Sequence, residues 1–148
     1  MNHDFFMNEA LKEAEKAAWQ GEVPVGAVVT LNDVVIGRGY NQTETLHDVS
    51  AHAEIIAIRE AERELDNWRL EMCSIYVTLE PCPMCAGAIL LSRLEKIVIG
   101  TQNPRMGFCG SLYNIVEDKR LGHMPEVITG IMEDECRSYL KNFFKKKR

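Results

Sequence analysis

The spacing of apolar positions along the first forty residues predicts a helix followed by a hairpin. Apolar residues recur every three or four positions over residues 5–19, as on one face of an α-helix. Two further apolar runs, at residues 25–31 and 34–40, flank the turn-favouring pair Asn32-Asp33. A short turn between two such runs is typical of an antiparallel β-hairpin.

Beyond a polar loop at residues 41–50, the pattern alternates between helices and strands. It predicts helices over about residues 51–65, 83–92 and 133–145, a weak helix near 112–117, and strands over 74–79, 97–99 and 126–129. Because parallel strands need crossover connections, this alternation predicts a parallel section of sheet. The expected fold class is therefore α/β: one domain over residues 1–148, a three-layer α/β/α sandwich with a mixed five-stranded sheet.

The composition of the chain indicates the class of protein and the compartment in which it works. The 148 residues are 46% hydrophobic and 26% charged, as in soluble globular proteins. The longest apolar run is about six residues, far short of a bilayer span, and the first residues lack a signal-peptide pattern. Five cysteines, an odd number, argue against a disulfide framework and for a reducing compartment. We expect a cytoplasmic protein with no membrane partner.

The net charge of −5 hides an asymmetry between the carboxyl terminus and the rest of the chain. Residues 137–148 carry six basic residues and no acidic one, whereas residues 1–136 carry 11 basic and 22 acidic residues. A basic helix or tail at about 133–148 on an acidic body is typical of a chain that binds a polyanion. A solvated terminus without a partner explains the charge equally well.

Two short segments carry candidate metal chemistry. One is His52-Ala53-Glu54, at the start of a predicted helix, and the other contains Cys82 and Cys85, at the start of the next. Cysteines three apart are neighbours on a helical turn, and a helix amino terminus favours thiolate over thiol. One imidazole and two thiolates form a ligand set suited to zinc.

The number of ligands favours a catalytic site over a structural one. Structural zinc sites are closed by four protein ligands, while catalytic sites hold three and leave one position for water. Among the scattered cysteines, Cys109 lies in a loop and is a minor candidate for a fourth ligand. Metal-activated water needs a proton carrier, and Glu54 is placed to serve. On a regular helix Glu54 would face away from His52, so a shared site requires an irregular first turn.

His-x-Glu followed by Pro-Cys-x-x-Cys is the signature of the zinc-dependent nucleobase deaminases. Here it reads His52 to Glu54 and Pro81 to Cys85. Both segments begin helices that follow strand ends, where open α/β sheets place their sites. The agreement of motif and context favours a deaminase.

The chain closely resembles the bacterial tRNA-specific adenosine deaminases of the cytidine deaminase-like superfamily. The likeness extends from about Phe5 to Phe144, and the segments that flank the zinc motif distinguish these enzymes from other deaminases. The shared segments, with the zinc motif included, are Glu22-Val-Pro-Val-Gly-Ala27, Gly39-Tyr-Asn41, Ala51-His-Ala-Glu-Ile55, Thr78-Leu-Glu-Pro-Cys-Pro-Met-Cys-Ala-Gly-Ala88, Gly110-Ser-Leu112 and Phe143-Phe144.

The resemblance implies a cytoplasmic homodimer that converts adenosine to inosine at the wobble position of a tRNA anticodon stem-loop, chiefly in an arginine tRNA. One Zn²⁺ per chain would be held by His52, Cys82 and Cys85, and Glu54 would carry protons. The residues expected to contact the substrate are Asn41, Ala53, Asn103, Arg105, Phe143 and Phe144. Of these, Asn41 would hydrogen-bond the flipped base, and Asn103 and Arg105 would lie beside the ribose and neighbouring nucleotides.

Two positions depart from the family pattern. Many relatives carry Asp where this chain has Asn103, and the expected contact of this residue with the ribose would therefore lack a negative charge. Relatives often have Asn-His-Arg or Asn-His-Gln where this chain has Gly122-His123-Met124. This difference argues against a contact between that segment and the substrate.

Three other functions fit parts of the pattern. The nearest is deamination of a free base or nucleoside, such as guanine or cytosine, against which the basic Phe-Phe-containing tail argues. The second is a zinc-stabilised RNA-binding module without activity, against which Glu54 and the missing fourth ligand argue. The third is a thioredoxin-like redox role for Cys82 and Cys85, in which the His-x-Glu segment would be coincidental.

Overall fold

The computed structural model describes residues 2–147, so Met1 and Arg148, the last residue of the predicted basic tail, lie outside the described residues. Its centre is a five-stranded sheet whose strands run in the order β2-β1-β3-β4-β5. The strands are β1 Gly26–Leu31, β2 Val34–Tyr40, β3 Ser74–Leu79, β4 Lys96–Thr101 and β5 Glu126–Ile128. β1 pairs antiparallel with β2 and β3, whereas β3, β4 and β5 are parallel. The prediction of a mixed five-stranded sheet is confirmed.

Helices cover both faces of this sheet. They are α1 His3–Trp19, α2 Thr43–Leu46, α3 Ala53–Leu65, α4 Pro83–Leu91 and α5 Glu133–Lys146. Alternate residues of a strand face opposite sides, and β3 illustrates this: Ile75 and Val77 pack with α3 and α4, while Tyr76 packs with α1 and α5. The result is the predicted three-layer sandwich. Within residues 2–147, no helix is long and apolar enough to cross a membrane.

The hairpin between β1 and β2 turns at the predicted pair. Asn32 and Asp33 adopt φ angles of 50° and 61°, in the left-handed region that a tight hairpin turn requires. Asn and Asp tolerate this region better than most residues, which explains why this pair separates the two apolar runs.

Two glycines of β2 let α3 lie directly on the sheet. A Cβ atom at Gly37 would collide with the carbonyl oxygen of Ala57, and one at Gly39 would collide with the carbonyl oxygen of Ala53. The backbone of α3 therefore contacts the backbone of β2 with no side chain between them. This contact fixes the start of α3 at the end of β2.

Two predictions about the segments that connect the strands and the long helices were wrong. The expected helix at 112–117 is a series of turns, because the side chain of Asn114 bonds to Glu117 and the backbone bridges Cys109 to Asn114. A side chain that bonds to nearby backbone competes with helix formation. The expected loop at 41–50 contains one turn of helix, α2.

Candidate active site

The amino-terminal ends of α3 and α4 meet at one point beside the sheet. His52 is the residue before α3 and has an extended backbone, with φ −79° and ψ 154°. Cys82 likewise precedes α4, with φ −73° and ψ 175°. Pro83, whose missing N–H costs nothing at a first helical position, begins α4 and leaves Cys85 one turn into the helix. Because His52 lies just outside its helix, it shares the site with Glu54 without any distortion of α3.

The three candidate ligands lie at the separation that a tetrahedral metal needs. The Nδ1 atom of His52 is 3.5 Å from the Sγ atoms of both Cys82 and Cys85. Ligands at the usual zinc distances to nitrogen and sulfur, around a tetrahedral centre, would be separated by about 3.6 Å. Among the described residues these three form the group able to hold a metal, and Cys109 is not part of it. The residues therefore fit one zinc ion.

The electrostatics of the site favour a thiolate. A hydrogen bond from Cys85 and, to a smaller extent, the bond and charge of His52 lower the pKa of Cys82 to about 4, against the effect of burial. The same hydrogen bond and burial raise the pKa of Cys85. The bond to Cys82 also raises the pKa of His52. Thiolates are the form in which cysteine binds zinc.

Glu54 is a buried carboxyl group next to these ligands. It is 3% exposed, and burial raises its pKa to about 7, with the negative charge of Cys82 acting in the same direction and His52 opposing it. It also shares a hydrogen bond with the thiol of Cys85. A carboxyl group with a pKa near neutrality can both accept and release a proton at cellular pH, which is what general acid–base chemistry requires.

Three of these groups, His52, Glu54 and Cys82, line a cavity of about 580 Å³, within the size range of small-ligand sites. Three of the expected substrate contacts line it: Asn41, Ala53 and Asn103. Several other residues line the cavity that were not predicted as substrate contacts, among them Thr43, Val49, Glu80, Met84 and Met106.

The remaining expected contacts lie outside this cavity. Arg105 is exposed on the loop that carries Asn103. Phe143 and Phe144 lie on α5 and stack edge to face, with ring centroids 5.3 Å apart. Phe144 is 49% exposed.

Comparisons with known proteins agree with this geometry. The family model of the MafB19-like deaminases matches residues 1–148. The tRNA-specific adenosine deaminase of Bacillus subtilis is 48% identical over 145 residues, which is 98% of this chain and 90% of that protein. A solved structure of a tRNA:A34 deaminase, from studies of A-to-I editing at the wobble position of transfer RNA, is 43% identical with a TM-score of 0.89. It covers 92% of this chain and 99% of its own.

A guanine deaminase is also similar, over a smaller part of its length. The structure from Bacillus subtilis is 36% identical with a TM-score of 0.66 and covers 69% of this chain and 66% of its own. Fold and site together thus define a deaminase with the cytidine deaminase-like fold. Within that class, the chain belongs to the tRNA-specific adenosine deaminase family.

Proposed function

We propose that this chain is a zinc-dependent hydrolase that converts adenosine to inosine at wobble position 34 of tRNA, chiefly an arginine tRNA, in the cytoplasm. The observation that carries the proposal is the buried Glu54 beside the group of His52, Cys82 and Cys85, at an open cavity that His52, Glu54 and Cys82 line. Relatives named as tRNA-specific adenosine deaminases, and a tRNA:A34 deaminase of the same fold, support the choice of substrate.

The reaction replaces the amino group at C6 of adenine with oxygen from water and releases ammonia. A zinc ion held by His52, Cys82 and Cys85 would make water nucleophilic at neutral pH. Glu54 takes a proton from the attacking water and delivers it to the ring nitrogen beside C6. It then takes the remaining proton of that water from the hydroxyl group added at C6 and transfers it to the amino group, which leaves as ammonia. A carboxyl group with a pKa near 7 suits both directions of transfer.

The cavity suits a base that has left its stack. Its volume of about 580 Å³ accommodates a purine nucleoside, and an anticodon loop is a single-stranded region from which extrusion is cheap. The amide of Asn41 has only long bonds within the protein, 3.4 Å from its Nδ2 to the oxygen of Val23 and 3.4 Å from the nitrogen of Thr43 to its Oδ1. That amide is therefore available to bond the base, while Ala53 and Asn103 line the wall around it.

The end of α5 supplies positive charge near the same opening. Lys145, Lys146 and Lys147 are exposed, and Lys147 lies over the ring of Phe143 at 5.0 Å. The charge of Lys147 also helps to lower the pKa of Glu22, which bonds to α2 at the side of the cavity. Together with Arg105, on the loop that carries Asn103, these groups would meet the phosphates of the anticodon stem-loop, and Phe144 would contact a base or ribose.

We further propose that the chain is a homodimer that pairs through α3 and α4. The sequence of α4 is apolar throughout, yet Leu91 is 72% exposed and Trp68, beside it in a surface groove, is 56% exposed. Ile55 and Ala88 extend this groove. A wholly apolar helix is expected to be covered on every side, and a second copy of this face would cover it. Sedimentation equilibrium of the wild type and of Leu91→Glu tests this: we expect a dimer and a monomer, respectively.

Inosine mapping on a tRNA pool incubated with the protein, with ammonia measured in parallel, tests the proposed activity. We expect inosine at position 34, dependence on one zinc per chain and no release of ammonia from free guanine or cytosine. Ammonia from a free base without inosine in tRNA would favour the free-base alternative. Binding of tRNA without any ammonia would favour an inactive RNA-binding module. Reduced protein that contains no zinc would favour the redox role for Cys82 and Cys85.

A further inference from the structure

Two connecting segments form walls of the cavity, and each wall is bound to a different buried carboxylate. The first wall is residues 41–51, which contributes Asn41, Thr43 and Val49 to the lining; the second is residues 102–111, which contributes Asn103 and Met106. Glu22 is 1% exposed and bonds to the first wall, and Glu80 is 4% exposed and bonds to the second.

Glu22 holds the first wall through α2. Its carboxylate accepts hydrogen bonds from the nitrogen of Glu44 at 3.2 Å, the nitrogen of Thr45 at 2.6 Å and the hydroxyl of Thr45 at 2.6 Å. Gln42, which precedes α2, makes no capping bond with its own side chain. Glu22 therefore satisfies the free N–H groups at the start of α2 from a distant part of the chain.

Glu80 holds the second wall at three points. It accepts bonds from the nitrogens of Asn103 at 3.1 Å, Cys109 at 3.0 Å and Ser111 at 3.0 Å, and from the hydroxyl of Ser111. A Cβ atom at Gly107 would collide with this carboxylate, so the wall wraps closely around it. Because both carboxylate oxygens accept bonds from these donors, Glu80 holds the wall in place and has little capacity left to bond a ligand.

We propose that Glu22 and Glu80 are positioning residues for the reaction, each fixing one wall of the base pocket independently of the other. The proposal rests on the proposed function for the identity of the substrate. The N–H group of the buried Cys109 and the free N–H groups at the start of α2 need partners, and bonds to an ionised carboxylate are about twice as strong as neutral ones. Glu22 thereby sets where Asn41 and Thr43 meet the base, and Glu80 sets where Asn103 and Met106 meet it.

A third buried carboxylate provides a matched control. Glu13 is 3% exposed and lies on α1, where it bonds to Lys16 at 2.9 Å and pairs with Arg38 at 3.6 Å. It does not line the cavity. Replacement of Glu13, Glu22 or Glu80 by Gln removes one buried charge with little change of volume, but only the last two changes affect a wall.

Amide hydrogen exchange measured by mass spectrometry tests the proposal without any substrate. We expect Glu80→Gln to raise exchange in residues 102–111 and leave 41–51 unchanged, Glu22→Gln to do the reverse, and Glu13→Gln to affect neither wall. Gly107→Ala, which displaces the wall and leaves Glu80 in place, should raise exchange in 102–111 and serves if Glu80→Gln does not fold. Unchanged walls, or a rise in both walls with either substitution, would overturn the proposal.

Kinetics on an anticodon stem-loop RNA test whether the walls matter for the reaction. We expect Glu22→Gln and Glu80→Gln to lower kcat/KM by about tenfold to 100-fold, mostly through KM, with zinc content unchanged and with thermal stability similar to that of Glu13→Gln. Glu80→Asp, which keeps the charge, should recover part of the loss. A loss equal to that of Glu13→Gln would reduce Glu22 or Glu80 to a structural residue, and no recovery in Glu80→Asp would do so for Glu80. If the wild type forms no inosine, the proposed function fails while the exchange measurement still decides on the walls.

Discussion

The Nδ1 atom of His52 lies 3.5 Å from the Sγ atom of Cys85, although 33 positions separate them in the chain. The two side chains come from the starts of different helices, α3 and α4, which are joined through β3. A metal bound by both would cross-link these helices, so metal binding and folding are coupled.

This coupling predicts the effect of removing a ligand. Cys85→Ala should lose the zinc ion and several degrees of thermal stability, because metal binding contributes to folding only when its ligands are present. Cys109→Ala, another buried cysteine, should keep one zinc per chain. Metal analysis of the purified variants and thermal unfolding with and without a chelator provide the measurement. Full zinc retention in Cys85→Ala would mean that the ligands are misassigned.

Substitution of Glu54 should separate metal binding from chemistry. Glu54→Ala is expected to keep about one zinc per chain and to lose more than about 10²-fold in kcat, the usual minimum for general acid–base catalysis. Glu60→Ala, an exposed acid on the same helix, should behave as the wild type. Single-turnover rates of inosine formation check both variants. Near-normal rates in Glu54→Ala would remove the proton-carrying role.

The bonds to Glu22 predict a specific loss of stability in acid. Burial raises the pKa of Glu22, but the bonds from Thr45 and Glu44 and the charge of Lys147 lower it by more, so the net value is below the ordinary 4.5. A group with a lowered pKa stabilises the fold above its unfolded pKa, and this contribution is lost as the pH falls through the folded value. We therefore expect the free energy of unfolding to fall more steeply below about pH 4.5 in the wild type than in Glu22→Gln. Urea unfolding at several pH values gives both curves, and parallel curves would contradict the prediction.

Deletion of residues 145–148 should weaken binding to RNA and reduce its dependence on salt. The deletion removes four positive charges, and the slope of log affinity against log salt is about −0.7 per neutralised phosphate on a single strand. Turnover at saturating tRNA should change little, because the cavity is untouched. Replacement of Lys145, Lys146 and Lys147 by Arg keeps the charges and should keep the affinity. Equal affinities and equal salt slopes for the full and shortened chains would mean that the terminus is a solvated end without an RNA contact.

Local patterns in the sequence were sufficient to predict the layers and the floor of the site. Apolar spacing located the strands, and Asn32-Asp33 marked the hairpin, because each signal arises within a few neighbouring residues. The positions of His52 and Cys82 just before two helices place the candidate ligands close together. From the sequence, Glu54 could share a site with His52 only if the first turn of the helix were irregular. The sequence did not show that the backbone of His52 lies outside α3, which is how the two side chains meet.

The walls of the cavity could not be predicted in the same way. Glu80 and its partners Asn103 and Ser111 are 23 and 31 positions apart, and no periodic pattern connects them. The expected helix at 112–117 failed for a related reason, since the bridge from Cys109 to Asn114 and the bonds between Asn114 and Glu117 outweighed the local preference. One signal in the sequence could have identified Glu80 as a residue of the site. It is an acidic residue directly between a buried strand and the cysteine motif.

The contact of α3 with β2 through Gly37 and Gly39 has a consequence for redesign of this chain. Any side chain at either glycine would push α3 away from the sheet and carry His52 and Glu54 with it, while Cys82 and Cys85 stayed with α4. Each helix would survive intact, but the two halves of the candidate active site would no longer meet. Substitutions that aim at a different substrate therefore belong in the two walls of the cavity, residues 41–51 and 102–111. The contact between α3 and β2 below them leaves no room for a larger side chain.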